Sequence, residues 1–580
     1  MKPFIHPIAI FSAAIPLVQE CKASIPEQLP NILWLVSEDN NPILGCYGDS
    51  FIASPNIDKL ASEGFLYTHA YSSAPVSAPA RNTILTGVYA CSEGHHHHRS
   101  QYDKSDVIRT YPEFFREAGY YCTNNPKEDY NINLKQTKGI WDESSNKAHY
   151  RNRKPGQPFF AVFNCGITHE SSIHKSIPTE QLRHDPQKVQ LPPYHPDTED
   201  IRHDWAQFYD KIEDMDAWVG KMLKELEESG EAENTIVIYY GDNGGILPRS
   251  KRFLYETGTH VPFIIRIPEK YKHLYPAEKP GMKVDRLISF VDLAPTLLSI
   301  IETQIPEWMQ GYAFLGKQKT ADPQYVFTFR GRMDETYDMS RSVRDAKYRY
   351  IHNYMPHRIY GIHNNYQWNA PSMQSWEQAY LAGKCDSVQS IFWNPKPAEE
   401  LYDTENDPWE VHNLATDPAC RETLERMRAA HNAWVSDILD MGFIPEGEFA
   451  VRSKDMPLYD YMRSANLPYS KILETANLAS DGDPKNFEQF CELLQNDESI
   501  IRYWAATGLL ILKENAKNAI PLLIKALDDP SADIATVAAE ALYNLGEKEI
   551  AISALRKALE HPDACVRNFA QNTLEYNDIK

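Results

Sequence analysis

The sequence predicts a doubly wound α/β core, followed by a smaller α+β unit and a set of C-terminal helical repeats. Three observations carry this. Over the first half of the chain, continuous apolar runs that end in polar residues alternate with helical stretches, the pattern of buried parallel strands joined by helices. From about 319 to 445 the runs become aromatic and alternating, as in antiparallel strands. Beyond about 480, amphipathic helices containing Ala and Leu recur at a period of roughly 32 residues.

In the core, 31–37 (NILWLVS) reads as the first buried strand and 235–240 (TIVIYY) as another, with 159–164 and 262–267 as further strands. The stretch 54–64 has helical spacing, with Ser54 as its cap and Pro55 at the first helical position, and 204–228 is a second helix. Such sheets bind ligands at the carboxyl ends of their strands. Two polar clusters stand there: Glu38-Asp39 after the first strand and Asp242-Asn243 after a later one. In the second unit, 325–330, 347–352 and 400–403 read as strands and 417–439 as one helix. In the last, helices opening at Ser499, Asp533 and Asp563 alternate with 520–527 and 552–559. They resemble HEAT-type α-solenoids, which serve either as a docking surface for a partner or glycan, or as a cap on the rest of the molecule. The expected division is a signal at 1–24, the core at 25–318, the α+β unit at 319–446, a linker at 447–480 and the repeats at 481–580.

A chain of 580 residues exceeds what one core supports. Its net charge of −21 argues against a nucleic-acid partner, which needs a basic surface. An anionic substrate remains compatible if its pocket is locally basic. Met1-Lys2 followed by an apolar stretch over 8–18 reads as an export signal, too short to span a membrane. Cleavage is expected between Cys21 and Ser24, or lipidation at Cys21, so the expected location is periplasmic, secreted or lipid-anchored at a surface. No later segment is long and apolar enough to span a membrane. The nine cysteines form no C-x-x-C pair, which excludes a dithiol motif and leaves room for one or two disulfides after export.

The densest chemical signal is 72–87 (SSAPVSAPARNTILTG). Pro79 suits the first turn of a helix running toward Leu85, which puts Ser77 just before its N-terminus, where N–H groups and the helix dipole favour an anion. Arg81 adds a planar cation matched to a tetrahedral oxyanion. Glu38, Asp39, Asp242 and Asn243 offer hard oxygen donors at two strand ends, suited to calcium or magnesium rather than zinc.

Ser-x-Pro-x-Arg followed by Leu-Thr-Gly resembles the signature of the formylglycine-dependent (type I) sulfatases, in the Ser form matured in bacteria by a separate radical enzyme. The resemblance runs from about Asn31 to Asn413, and the order of blocks matches. It implies an alkaline-phosphatase-like core with a mixed sheet, formylglycine derived from Ser77, and one Ca2+ (or Mg2+) held by Glu38, Asp39, Asp242 and Asn243. Here Glu38 stands where the family has Asp. It also implies roles for Lys127, in the block 119–129, and for Lys251 as sulfate-binding lysines, and for His169 as the catalytic histidine ending the strand 159–164. Asp129 replaces a histidine usual in the family. His97, His98 and Arg99, in the run Gly94 to Arg99, Asp129, and Arg330 and Arg332, at a strand end of the second unit, are expected at the substrate.

The mechanism that the resemblance implies has Arg81, Lys127, Lys251 and the metal stabilising the sulfuryl oxygens while His169 protonates the leaving group. Blocks around Glu38 and Thr123 look similar to bacterial proteins near the heparan N-sulfatases, which points to a glycosaminoglycan or mucin-type sugar as the sulfated substrate. Two rivals stand beside this reading. One is a phosphoesterase of the alkaline-phosphatase superfamily that uses Ser77 as an alcohol. The other is a non-catalytic glycan-binding protein built on the same core.

Overall fold

The computed structural model describes residues 29–579; the expected export signal with Cys21 lies outside the described residues. The core sheet has, among them, eight strands: β1 (Asn31–Ser37), β2 (Phe65–Tyr71), β3 (Tyr121–Asn125), β4 (Glu143–Ser144), β5 (Phe159–Cys165), β6 (Thr235–Gly241), β7 (Phe263–Arg266) and β8 (Lys283–Ser289). Their order is β4-β3-β5-β1-β6-β7-β2-β8. Only β7 runs antiparallel to its neighbours, β6 and β2; the other pairings are parallel.

Every residue of β1 is buried because both faces of the sheet are covered. Ile32, Trp34 and Val36 point to a cluster with Ile84, Leu85 and Phe115, whereas Leu33 and Leu35 point to one with Ile212, Met215 and Val219. The two-residue alternation of a strand thus feeds two helical layers. One layer contains the helices Pro55–Glu63 and Glu199–Glu228; the other contains Ser77–Thr86 and Leu293–Ile300. Pro55 opens its helix as expected, but the Ser54 hydroxyl does not cap it. It donates to Asp58 at 3.0 Å and accepts from the Gly45 N–H at 2.9 Å, tying in the preceding loop instead.

β1 lies between β5 and β6, with Ser37 opposite both Cys165 and Gly241. The loops that follow these three strands, carrying Glu38-Asp39, His169 and Asp242-Asn243, therefore emerge side by side.

A second, antiparallel sheet has the order β12-β11-β10-β9, with β9 Val326–Arg330, β10 Ser340–Arg344, β11 Tyr348–Asn353 and β12 Glu399–Asp403. The expected helix over 417–439 is Arg421–Asp437, preceded by a 3-10 turn. Strand β10 was not anticipated, since SRSVR reads as polar. It is buried throughout because Arg341 forms a two-pronged pair with Asp440 (2.5 and 2.8 Å) and Arg344 pairs with Glu256 (2.8 Å).

The segment 447–480, expected as a linker, is folded. It contains the helices Phe449–Arg452, Leu458–Ser464 and Tyr469–Asp481, and Phe449, Leu458 and Ile472 are buried in the same cluster as Trp504. The repeat helices follow as Ser499–Leu512, Ile520–Ala526, Ala532–Asn544, Lys548–Ala558 and Ala564–Tyr576. They pack onto the rest of the chain: the Trp504 indole N–H donates to the Phe443 carbonyl at 2.9 Å, and Arg358 makes a buried ion pair with Glu540. No helix among the described residues is long and apolar enough to cross a membrane. Cys46, Cys91, Cys122, Cys165, Cys385, Cys420, Cys491 and Cys565 are all unbridged, so the room for one or two disulfides is not used among the described residues.

Candidate active site

Ser77 is the first residue of a helix buried along its whole length, Ser77–Thr86, with Val76 rather than Ser77 in the cap position. Gly87 ends it in the left-handed region (φ 72°), donating its N–H to the Thr83 carbonyl at 2.9 Å. The Ser77 hydroxyl lies 3.3 Å from Asn243 Oδ1. One turn on, Arg81 donates from Nε to Asp242 Oδ2 (3.1 Å) and from NH1 to Asn164 Oδ1 (2.7 Å). Burial works against its charge, but Asp242 and then Glu38 more than offset this and raise its pKa.

The two strand-end clusters meet. The Asp39 N–H donates to Asp242 Oδ1 at 2.9 Å, and Asn243 Nδ2 donates to Asp39 Oδ1 at 3.0 Å. Lys251 Nζ donates to Asp39 Oδ2 at 2.6 Å, and the Glu170 N–H donates to the same oxygen at 2.8 Å. Burial pushes the Asp39 carboxyl up; Lys251, then His169, outweigh it and hold it well below the usual carboxylate range. Burial likewise disfavours the Lys251 ammonium, yet Asp39 and Glu170 keep it charged, with a pKa raised to about 12. Lys127 Nζ donates to Glu38 Oε2 at 3.0 Å, and His169 Nε2 lies 3.9 Å from the same oxygen. His169 Nδ1 lies 2.9 Å from the Ser171 hydroxyl and 3.3 Å from the Ser171 N–H, contacts that orient the ring with Nε2 toward Glu38. Ser77, Arg81, Lys127, His169 and Lys251 are thus gathered with the four acidic and amide residues at the end of β1.

The donor chemistry fits a hard divalent cation. Glu38, Asp39, Asp242 and Asn243 are all oxygen-bearing and buried, on adjacent strands. Their charge is compensated by Lys251, Arg81 and Lys127, the cations expected to meet the substrate anion. Among the described residues, no three His, Cys, Asp or Glu side chains converge closely enough to hold a metal by themselves.

A cavity of about 330 Å³ opens beside this cluster, lined in part by Arg99, Gln101, Asp129, Tyr130 and Asn131. Asp129 lies 3.9 Å from Lys127 and joins the cavity to the cluster. The Arg99 side chain is exposed, and its Nε lies 4.0 Å from Asp334. Asp334 is also paired with His98 Nδ1 (2.9 Å) and Arg252 (3.1 Å). His98, then Arg252, overcome the effect of burial and hold its carboxyl well below the usual range.

Three residues expected at the substrate face protein instead. His97 is buried against Tyr337 and Phe449, accepts the Arg332 N–H at 3.0 Å, and is held neutral by burial. Arg330 is buried 3.3 Å from Asp338 with its guanidinium over the Phe253 ring. Arg332 is locked by Glu446 in a two-pronged pair (2.6 and 2.8 Å). Cations whose counter-charges lie far away in sequence read as free in one dimension. Sequence reasoning missed Glu170, which bridges Lys251 (3.7 Å) and Arg252 (2.7 Å), and Asn164, which holds Arg81. A further sign unites the site: Asp39, Arg99, Asn131, Arg252 and Asp334 all have positive φ (51 to 76°), strain of about 1–3 kcal/mol each that clusters at functional sites.

Comparison with known proteins decides the family. The Sulfatase family model matches residues 30–303, the model of the N-sulphoglucosamine sulphohydrolase C-terminal region matches 249–374, and the HEAT-repeat model matches 487–575. An ulvan-active sulfatase of Formosa agariphila is 39% identical over 471 residues, covering 73% of this chain and 77% of that one. The chain belongs to the sulfatase family. It is a sulfuric ester hydrolase, with an alkaline-phosphatase-like core. Human N-sulphoglucosamine sulphohydrolase is 25% identical, covering 70% of this sulfatase and 91% of its own length. Among solved structures, a 2-O GAG sulfatase (TM-score 0.53, 21% identical, 71% of this chain and 93% of that one) shares the fold. So does a phosphonate monoester hydrolase from Silicibacter pomeroyi (TM-score 0.53, 16% identical, 72% and 97%).

Proposed function

We propose that this sulfatase removes O-sulfate from a polysaccharide of the ulvan type, with Ser77 matured to formylglycine and one divalent cation, calcium or magnesium, at Glu38, Asp39, Asp242 and Asn243. The observation that carries the reading is the seat of Ser77. Its hydroxyl opens a buried helix and faces Asn243, with Arg81 one turn away and the Asp39–Asp242 pair alongside. Serine is a weak nucleophile at neutral pH, and the hydrated aldehyde supplies a stronger one at the same position. A bound divalent cation supplies Lewis acidity toward a sulfate oxygen.

The chain's own residues do the rest. The helix N-terminus and Arg81 bind the sulfuryl oxygens at one side, and Lys127 and Lys251 do so at the other. Asp39, then Glu170, keep Lys251 charged and in place. His169, acting as an imidazolium, gives its Nε2 proton to the departing sugar oxygen and is left as neutral imidazole, with Nδ1 held by the Ser171 hydroxyl at 2.9 Å. Asp129 and Arg99 line the cavity in which the sugar would lie.

The ulvan-active relative favours an algal polysaccharide over the glycosaminoglycan or mucin-type sugar expected from the motifs, at 39% identity against 25% for the sulphohydrolase. Export through the segment 1–24 and maturation by a formylglycine-generating enzyme belong to the same proposal.

Peptide mass spectrometry across Ser77, on protein from its native host, with sulfate release from ulvan oligosaccharides, tests it. A residue lighter by two hydrogens is expected, with release lost by a factor of at least ~10⁴ in Ser77→Ala. Unmodified Ser77 with phosphatase and no sulfatase activity would overturn the reading in favour of a phosphoesterase.

A further inference from the structure

The HEAT-type repeats are linked to Arg99, which lines the cavity, through loop 331–338. That loop leaves β9 and carries Asp334, which pairs with His98, Arg252 and, at 4.0 Å, Arg99. On its other side it is held by the last repeat helix, Ala564–Tyr576. The Tyr337 N–H donates to Asn572 Oδ1 at 3.1 Å, Asn568 Nδ2 donates to the Glu335 carbonyl at 3.3 Å, and the Tyr337 and Phe569 rings lie 4.9 Å apart. Asn572 is buried. A second tie comes from the segment that enters the repeats. Glu446 grips Arg332, whose NH1 donates to the His98 carbonyl at 3.1 Å, and the Glu446 N–H donates to the Tyr337 hydroxyl at 3.2 Å. The His98 N–H in turn donates to the Arg332 carbonyl at 2.9 Å. The contacts continue inward from Asp334 through Arg252, Glu170 and Lys251 to Asp39.

We propose that the C-terminal repeats are part of the substrate site, with Asn568, Asn572 and Glu446 as positioning residues that hold loop 331–338 so that Asp334 orients His98 and Arg99 toward the sugar. The repeats then act as a fixed support behind loop 331–338 rather than as a platform for a separate partner. Asp334 and Arg99 both have positive φ (51° and 59°), a conformation that persists only where surrounding contacts impose it. The asparagines hold the residues just after Asp334, Glu335 and Tyr337, from a neighbouring unit that no motif of the sulfatase core includes. The substrate side of this inference rests on the polysaccharide-sulfatase reading above; the loop side does not.

The test uses the full chain. Asn568→Ala/Asn572→Ala removes both hydrogen bonds from the last repeat helix to the loop, and Leu523→Ala, a buried residue of another repeat helix, serves as a control that costs stability without touching the loop. Hydrogen exchange is followed across 95–100 and 331–338, and kcat and KM are measured on ulvan oligosaccharides. The double variant is expected to exchange faster in both segments and to raise KM by about tenfold with kcat within twofold, as expected for a misplaced binding group. Asn572→Gln in the Asn568→Ala background, which keeps the acceptor, should recover part of the KM. Leu523→Ala should leave KM and both exchange profiles unchanged. If the double variant loses thermal stability with exchange and KM as in the wild type, or if Leu523→Ala shifts KM equally, the proposal is overturned. If ulvan is not a substrate at all, the exchange of 95–100 still decides: unchanged protection there overturns the positioning role independently.

Discussion

Around Ser77, buried charge packs against buried charge; across the C-terminal repeats, buried apolar side chains pack against their like. Asp39, Arg81, Glu170, Lys251 and Arg252 are all buried and each is paired. The helix Ser499–Leu512 buries Ile500, Ile501, Trp504, Ala505, Ala506 and Leu509, and the next long repeat helix, Ala532–Asn544, repeats the pattern with Ile534, Val537, Ala538 and Leu542. The apolar interior stabilises directly, at about 25 cal/mol per Å² removed from water. A buried ion-pair network gains little net stability, because desolvation consumes most of the Coulomb attraction. The positive φ angles of Asp39, Arg252 and Asp334 add strain on the same side. Such a centre makes physical sense as a site preorganised for an anion and a cation, with the surrounding apolar layers meeting its cost.

The comparison is broken most sharply by deleting one charge. Lys251→Met removes the cation paired with Asp39 and one of the two that flank Glu170, leaving Arg252. Sulfate release is expected to fall about 10²–10³-fold in kcat, as for loss of a preorganised oxyanion donor. The folded state should also lose roughly 3–5 kcal/mol, because Asp39 is left buried and uncompensated. Turnover assays and denaturant titration on one preparation check both. A variant that loses turnover with unchanged stability would mean that Asp39 finds another partner.

These two regions also differ in how far one dimension revealed them. β1 was read to the residue, because a strand covered on both faces must be apolar throughout. The repeat helices were equally plain from their period. Ser77 and the residues after β1 and β6 were legible because strand ends and helix starts are local features. Strand β10 was not, since its arginines are neutralised by Asp440 and Glu256, about a hundred residues away in one direction or the other. The segment 447–480, expected as a linker, is helical, with Pro457 and Pro468 in the cap positions at two of its helix starts. Arg330, Arg332 and His97 carried the right chemistry for a sugar and were spent on internal contacts. Glu170 and Arg252 had no periodic or motif signal of their own and stood only as neighbours of His169 and Lys251.

The apolar side of the comparison is sharpened by Leu523→Ala. The side chain is fully buried, and truncation should cost about 2–5 kcal/mol through lost burial and the cavity left behind. With no charge or strained backbone involved, kcat at 25 °C should stay within twofold. Thermal melts beside turnover assays separate the two effects; a large loss of kcat would show that the repeats are coupled to the chemistry itself.

The smallest expected effect lies where the two kinds of interior meet. Asp533 is buried at the start of a repeat helix, near Glu448 and Glu446 of the entering segment. Burial, then Glu448 and Glu446, raise its pKa from 3.8 to about 8. The sign follows from proton counting. Between those values the folded chain holds a proton that the unfolded chain has released, so the contribution is present below about pH 4 and is lost as pH rises through about 8. Asp533→Asn cannot ionise and keeps an acceptor for the Gly447 N–H. Its stability should therefore fall less steeply, by about 1 kcal/mol per pH unit relative to wild type, most visibly between pH 6.5 and 7.5. Denaturant midpoints of both proteins at those two pH values measure the difference. Parallel pH profiles would show that the carboxylate stays ionised, with a cation drawn to the Glu446–Glu448–Asp533 group, and the charge-free character of the repeat interior would then end one helix later than its sequence suggests.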